Sequence, residues 1–170
     1  MALSFSELHI SKASSYKSIP FIHLQQLYEF EFSPVTGSSV NKDGLYDQEI
    51  IRKEWSPHGV DIYILYHESN PLGFAVVNLA GIIDKSPETK DIAEFFILPE
   101  YRGKGIGEWF AHAIFDLYTG TWEVRQLSGL DKARSFWIKT IDKYTCGNFK
   151  ETKLSDDQWK GSIQRFKSRF

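Results

Sequence analysis

Three glycines at alternate positions, Gly103, Gly105 and Gly107, interleave with Lys104 and Ile106 and directly follow Arg102 in the stretch ILPEYRGKGIGEWF. Residues without a Cβ let backbone N–H groups face a ligand at close range. The apolar spacing after Gly107 predicts a helix. Its N-terminal N–H groups and positive dipole end favour an anion such as a pyrophosphate, and Arg102 and Lys104 add charge. Two nucleotide signatures fail on spacing. A P-loop needs a Ser or Thr after its Lys, and Lys104 is followed by Gly105. A dinucleotide fingerprint needs a third glycine where Glu108 stands. The alternative is a tight strand-to-helix connection with no ligand. Three alternate glycines beside two cations favour the ligand.

The flanking elements must present this loop. DIAEFFIL before it is nearly continuous in apolar character from Phe95 to Leu98, which suits a strand covered on both faces. After it, Ile106, Phe110, Ile114 and Leu117 recur at helical spacing, with Glu108, His112 and Asp116 on polar positions, His112 solvated, and Gly120 as a stop. TWEVRQL reads as a strand and LDKARSFWIKTI as a helix. Residues 91–127 thus form strand, helix, strand, a parallel crossover unit expected to be right-handed. Upstream, SFSELHI is a first strand. IPFIHLQQLYEFEF is a helix broken at Pro34 and Gly37, and LYDQEIIRKEW is a second helix. DIYILYH and PLGFAVVNLAG are strands joined by the short connection ESN. The tail, GNFKETKLS and WKGSIQRFKS, closes as an antiparallel pair. The order β α α β β β α β α β β predicts an α/β (α+β) mixed sheet in one domain, residues 1–170.

The pattern Arg102-x-x-Gly105-x-Gly107, placed after Ile97-x-Pro99 at a strand end, resembles the acetyl-CoA site of the GNAT acetyltransferase superfamily. The likeness extends over most of the chain and is strongest from Ile92 to Trp137. It includes Glu123-Val124-Arg125 and the later Ala133-x-x-Phe136 followed by an aromatic residue. The resemblance implies a central mixed, mostly antiparallel sheet of six to seven strands flanked by about four helices, with a splayed parallel pair at the acyl-CoA site. It further implies that the CoA pyrophosphate lies on the N–H groups of Gly103, Lys104, Gly105, Ile106 and Gly107 beside Arg102. The pantetheine arm would run along residues 95–98, with the backbone of Phe95 and Ile97 serving the thioester end. The implied reaction is N-acetylation of a primary amine of a small molecule or peptide by direct attack in a ternary complex.

Such a reaction needs a base, because only the free amine attacks, and such help is worth about 10²–10⁴-fold. Three carboxylates lie in the right strands. Glu94 is set in an otherwise apolar run, where a charge is expensive unless paired or functional. Glu123 matches the strand that carries a base in some relatives that modify protein N-termini. Asp91, counted back from Ile97, matches the base of histone-type members. By alternation Asp91 shares a face with Phe95 and Ile97, and Glu94 with Phe96 and Leu98, unless a bulge intervenes. Each can instead be an ion-pair partner, Glu123 for example with a cross-strand Lys or Arg. The chain departs from the family at two places. Leu130 stands where an Asn often contacts pantetheine, and Trp137 stands where a Tyr often protonates the leaving thiolate. An indole N–H is a donor but no useful acid, which leaves water or another tyrosine such as Tyr144.

The formal net charge of −2 argues against a nucleic-acid partner held by bulk charge. Cys146 is the one cysteine, read as a part-buried core residue, and the scattered histidines show no zinc-ligand spacing, so no metal is expected. There is no signal-peptide pattern and no apolar run of membrane-spanning length, and a cytoplasmic monomer or homodimer is expected. Glu29, Glu31, Asp43, Asp47 and Glu49 lie among aromatic residues where the family builds its acceptor side. They form either a solvated acidic loop or a surface that attracts a cationic amine. A non-catalytic acyl-CoA-binding or sensing module of the same fold is the competing reading.

Overall fold

The computed structural model describes residues 4–46, 59–81, 83–156 and 159–170. The chain divides into two compact units, one built from the chain up to Val76 with Phe95–Pro99, the other from Val77–Glu94 with Glu100–Phe170. Seven strands occur: β1 (Leu8–Lys12), β2 (Val60–His67), β3 (Asn70–Asn78), β4 (Thr89–Ile97), β5 (Thr121–Leu127), β6 (Phe149–Ser155) and β7 (Lys160–Lys167). Among the described residues there are three α-helices, α1 (Ile19–Thr36), α2 (Ile106–Phe115) and α3 (Asp131–Thr145). The strands hydrogen-bond in the order β1-β2-β3-β4-β5-β7-β6. β4 and β5 are parallel, whereas β1–β2, β5–β7 and β7–β6 are antiparallel. This is the mixed, mostly antiparallel sheet expected. The second expected helix falls mostly on residues 47–58, outside the described residues; Leu45 and Tyr46, at its start, are not helical. Among the described residues no helix is long and apolar enough to cross a membrane.

In the first unit α1 buries Phe21, Leu24 and Gln25, one helical face. Phe21 meets Phe74 edge to face at 5.1 Å, and Tyr28 meets Phe74 and Phe96 at 5.7 and 6.0 Å. Aromatic pairs at these separations add to simple burial. The helix does not stop at Pro34. The ring removes the N–H that would have bonded to the Phe30 carbonyl, but the Ser33 hydroxyl donates to that oxygen instead (2.8 Å). Termination comes at Gly37, in the left-handed region at φ +72°.

The second unit is centred on Phe115, whose ring lies 5.1 Å from Trp122, 5.1 Å from Tyr144 and 4.9 Å from Phe166. Phe110, Ile114, Val124 and Ile141 are buried around it. α2 ends at Phe115, so Leu117 falls off the apolar stripe expected for it and is 51 % exposed. Gly120 is not the stop. It sits one residue before β5 at φ +117°, where a Cβ would run into the Glu88 carbonyl.

β3 and β4 do not keep one register along their length. Near the end of β4, Leu98 N–H donates to the Leu72 carbonyl (2.9 Å), and a Cβ on Gly73 would lie 3.1 Å from Ile97 Cα, so Gly73 stands opposite Ile97. Nearer its start, Asn78 Nδ2 donates to Asp91 Oδ2 (2.9 Å), which puts those two side chains on one face. Gly73 to Asn78 spans five residues and Asp91 to Ile97 spans six. With strict alternation the two pairings are incompatible. One residue is therefore extra, a β-bulge. Counting by twos from Asp91 thus does not assign the faces of Phe95–Leu98. A bulge also explains why a strand interior carries Gly73: its Cβ would strike the Phe96 carbonyl oxygen.

Candidate active site

β4 leads into a 3₁₀ turn, Pro99–Tyr101, and the glycine loop follows. Gly103 and Gly105 lie in the left-handed region, φ +72° and +80°, which L side chains adopt only with strain. Gly105 is the N-cap of α2, and among the described residues no side chain caps it. Its carbonyl accepts the first helical bond, from Trp109 N–H (3.0 Å). The N–H groups at the start of α2 have no intrahelical acceptor. A Cβ on Gly103 would meet nothing within 4 Å among the described residues. Arg102, Gly103, Lys104 and Gly105 are exposed, whereas Ile106 is 1 % exposed and anchors the first turn. Gly107, the second helical residue, leaves that turn without a Cβ. An open loop, an uncapped helix start and a basic flank together fit a phosphate-bearing ligand. Lys104 turns back, donating to the Glu100 carbonyl (2.8 Å), and Glu108 is drawn to Lys143 of α3 (2.7 Å).

The three candidate carboxylates have different surroundings. Asp91, 0 % exposed, takes a bidentate pair from Arg125 (2.6 and 3.0 Å) and a third bond from Asn78. The Arg125 guanidinium stacks on Trp159, 4.4 Å from the ring centroid. Every Asp91 lone-pair direction used this way holds structure, which disfavours its role as a base. Glu123, 1 % exposed, is registered beside Asp91 on β5 and accepts the Ile83 N–H (3.1 Å). Arg165 is registered opposite Glu123 on β7, and its guanidinium reaches Asp84. Burial pushes the Asp84 carboxyl up, but the Ser86 N–H, the Thr89 hydroxyl and Arg165 bring it below the usual carboxylate range. Glu94 is half-buried, with Oε2 shielded from solvent. The β4–β5 register runs from Thr89–Thr121 to Ile92–Val124, and Glu94 lies two residues beyond its last pair. Phe95 and Ile97 belong to the first unit, where Ile97 is 6 % exposed and neighbouring Phe96 joins the aromatic cluster.

Trp137 is a core residue, 6 % exposed and 6.3 Å from Phe115. Leu130 is the N-cap of α3 and gives no side-chain cap. Tyr144 is not placed to act as an acid. Its hydroxyl donates to Asp116 (2.7 Å), at the end of α2 opposite the glycine loop, about 15 Å away along a helix of this length. Burial, then the bond to Asp116, pushes its phenol up to about 12. His112 is not solvated: its Nε2 meets the Thr140 carbonyl (2.8 Å). Glu108, His112 and Asp116, expected on polar positions, contact Lys143, Thr140 and Tyr144 of α3, and Asp116 and the Glu108–Lys143 pair remain exposed. Cys146 is exposed, not in the core; it takes the left-handed C-cap of α3, φ +52°.

Tyr144→Phe is expected to cost about 1–3 kcal/mol at neutral pH, because Asp116 loses its donor. A raised folded-state pKa contributes stability that is present below the unfolded value and lost as pH rises through the folded one. The wild type should therefore weaken between about pH 10 and 12, and the variant should lack that component. Denaturant unfolding across this range checks both.

Of the carboxylates expected to build an acceptor surface, Glu29 accepts from Gln25 (3.0 Å), Asp43 lies 3.5 Å from Lys42, and Glu31 is exposed on α1. Asp47 and Glu49 lie outside the described residues. Among the described residues no group of three or more His, Cys, Asp or Glu could hold a metal ion.

Several solved structures share this fold. An acetyltransferase from Thermus thermophilus aligns over 98 % of this chain and 97 % of its own, at 16 % identity and TM-score 0.64. A GNAT family acetyltransferase from Elizabethkingia anophelis with acetyl-CoA bound covers 97 % and 99 %, at 11 % identity and TM-score 0.57. An aminoglycoside acetyltransferase from an uncultured soil metagenomic sample covers 80 % and 88 %, at 18 % identity and TM-score 0.59. No curated protein matches the chain at a significant level. The acetyltransferase (GNAT) family model matches residues 22–137. That span takes in most of α1, both strands of the parallel pair, the glycine loop and α2, and the chain belongs to the acetyltransferase (GNAT) family.

Proposed function

We propose that the chain transfers an acetyl group from acetyl-CoA to a primary amine of a small molecule or peptide, by direct attack in a ternary complex. The observation that carries this reading is the uncapped, glycine-built start of α2 directly after β4. Gly103, Lys104, Gly105, Ile106 and Gly107 offer their N–H groups to the pyrophosphate, with Arg102 beside them. The backbone of Phe95 and Ile97 docks the acyl end. Bound acetyl-CoA supplies the thioester carbonyl.

Glu94 is the proposed base. It stands past the last registered β4–β5 pair, whereas Glu123 lies within the paired stretch, 1 % exposed, beside Asp91. An amine approaching the carboxyl end of β4 meets Glu94 first. Glu123 is the second candidate. With Trp137 in the core and Tyr144 tied to Asp116, the thiolate leaves by taking its proton from water. Glu29, Glu31 and Asp43 favour a cationic acceptor, a class that includes the aminoglycosides of one structural neighbour's name.

The test is a thermal shift with acetyl-CoA, followed by amine-dependent release of free thiol over a panel of cationic, neutral and acidic amines. A raised Tm with turnover on cationic amines is expected. A raised Tm with no turnover on any amine would favour the non-catalytic acyl-CoA module, the reading to which Leu130 and Trp137 lend weight. No shift at all would remove both.

A further inference from the structure

β6 stands at one end of the sheet order and, among the described residues, pairs with β7 alone. Its 7 residues, Phe149–Ser155, hold an unbroken antiparallel register with β7, from Phe149–Phe166 to Ser155–Lys160, and include no proline. Every one of its residues is exposed or half-buried. A long, regular edge of this kind is a template for another strand.

Which backbone groups point off the edge follows from the ladder. In an antiparallel pair, opposed residues alternate between exchanging both hydrogen bonds and exchanging none. The Asp156 N–H donates to the Trp159 carbonyl (3.2 Å), so the pair one step beyond Ser155–Lys160 is a bonded one. By alternation Leu154, Thr152 and Lys150 bond to β7. The far side of β7 is in the same phase. The Ser128 N–H donates to the Lys160 carbonyl (3.0 Å), and the Ser168 N–H to the Gly120 carbonyl (2.9 Å), so even-numbered positions there serve β5. The N–H and C=O groups of Phe149, Glu151, Lys153 and Ser155 therefore point away from β7.

This edge is complementary to itself. Two copies paired along it about a two-fold axis must centre on a residue, because opposed side chains share a face of the sheet. Centred on Glu151, two carboxylates stand face to face; centred on Lys153, two ammonium groups do. Centres nearer either end shorten the overlap. Centred on Thr152, the whole strand overlaps and no like charges are opposed. Glu151 then faces the partner's Lys153, and by symmetry the same pair forms a second time. Both residues have their backbone groups pointing outward, so they exchange both bonds, as do Phe149 and the partner's Ser155. Lys150 and Lys153 are the residue type that keeps an edge from pairing with an uncharged strand, whereas its own copy offers Lys153 a carboxylate. Glu151 Oε2 accepts one bond, from Arg134 (2.6 Å), which leaves it room for that lysine.

We propose that the chain forms a two-fold homodimer by antiparallel pairing of β6 with β6 of a second copy, centred on Thr152. The sheet then continues from one copy into the other through this edge.

Sedimentation equilibrium on wild type, Lys153→Glu and Lys153→Pro tests this. Wild type should be a dimer. Lys153→Glu opposes two pairs of carboxylates and should weaken the dimer about tenfold or more at low salt, and less at high salt. Lys153→Pro removes an outward N–H that the single copy does not use, and should give a folded monomer. A wild type that stays monomeric, its edge bare or kept for a different strand, overturns the proposal. So does a dimer that both variants leave intact, since its interface must lie elsewhere. Should the variants not fold, hydrogen exchange of wild type at high and low concentration decides. The Glu151 and Lys153 amides should gain protection on dimerisation, and unchanged exchange there overturns the proposal.

Discussion

Replacing Gly105 by Asp is expected to abolish acetyl-CoA binding at working concentrations while leaving the protein folded. Gly105 caps α2 at φ +80°, and the helix's first N–H groups are the proposed seat of the pyrophosphate. A carboxylate there would take the place of the anion. At about 4 Å and an effective dielectric near 20, two like charges repel by about 4 kcal/mol. The dissociation constant should rise at least about 100-fold. Stability should change little. Asp in the left-handed region costs about 1–2 kcal/mol, and a negative charge at a helix N-terminus returns about 0.3–1 kcal/mol. Tm should fall by only a few degrees on that balance. Gly105→Asn has nearly the same shape without the charge and should lose about tenfold in affinity. Calorimetric titration with acetyl-CoA decides the matter: wild-type affinity in Gly105→Asp would show that the loop does not hold the pyrophosphate.

The largest expected effect on stability is at Arg125. Its guanidinium neutralises Asp91, which is 0 % exposed, and it stacks on Trp159. Arg125→Met leaves a buried carboxylate with only Asn78 as a hydrogen-bond donor among the contacts described above. Breaking a buried pair from one side costs about 3–5 kcal/mol, or about 6–20 °C in Tm for a chain of this size. Arg125→Lys should rescue little, because a single ammonium cannot reproduce the bidentate contact. The double variant Asp91→Leu, Arg125→Met should recover most of the loss, since replacing both partners removes the stranded charge. Denaturant unfolding of wild type, Arg125→Met, Asp91→Leu and the double variant forms the cycle. An Arg125→Met protein as stable as wild type would show that the pair contributes nothing to holding β4 beside β5.

What could be read in advance was local. The strand TWEVRQL occupies Thr121–Leu127, and the helix after the glycines begins at Ile106, because apolar periodicity and glycine placement act within a few residues of each other. Pro34 misled for an equally local reason, in the other direction. A proline normally ends a helix, but the neighbouring Ser33 hydroxyl satisfies the carbonyl that it strands. His112 was misread as solvated because a polar position on a helix looks the same whether it meets water or a carbonyl of another helix. Only the packing of α3, with Lys143 and Tyr144 on its side, tells the two apart.

The carboxylates show the same division. Glu94, Glu123 and Asp91 are all carboxylates set in β4 or β5, and neither property ranks them as a base. Their partners come from far along the chain: Arg125 and Asn78 for Asp91, Ile83 for Glu123. The β-bulge also removes the parity count that might have separated them. The family model that matches residues 22–137 and the glycine pattern within it are properties of the sequence by itself, as are the order of elements and the anion-favouring helix start. Which charges are consumed by structure was decided by tertiary structure. Pairing and burial depend on residues tens of positions apart, and no local pattern records them.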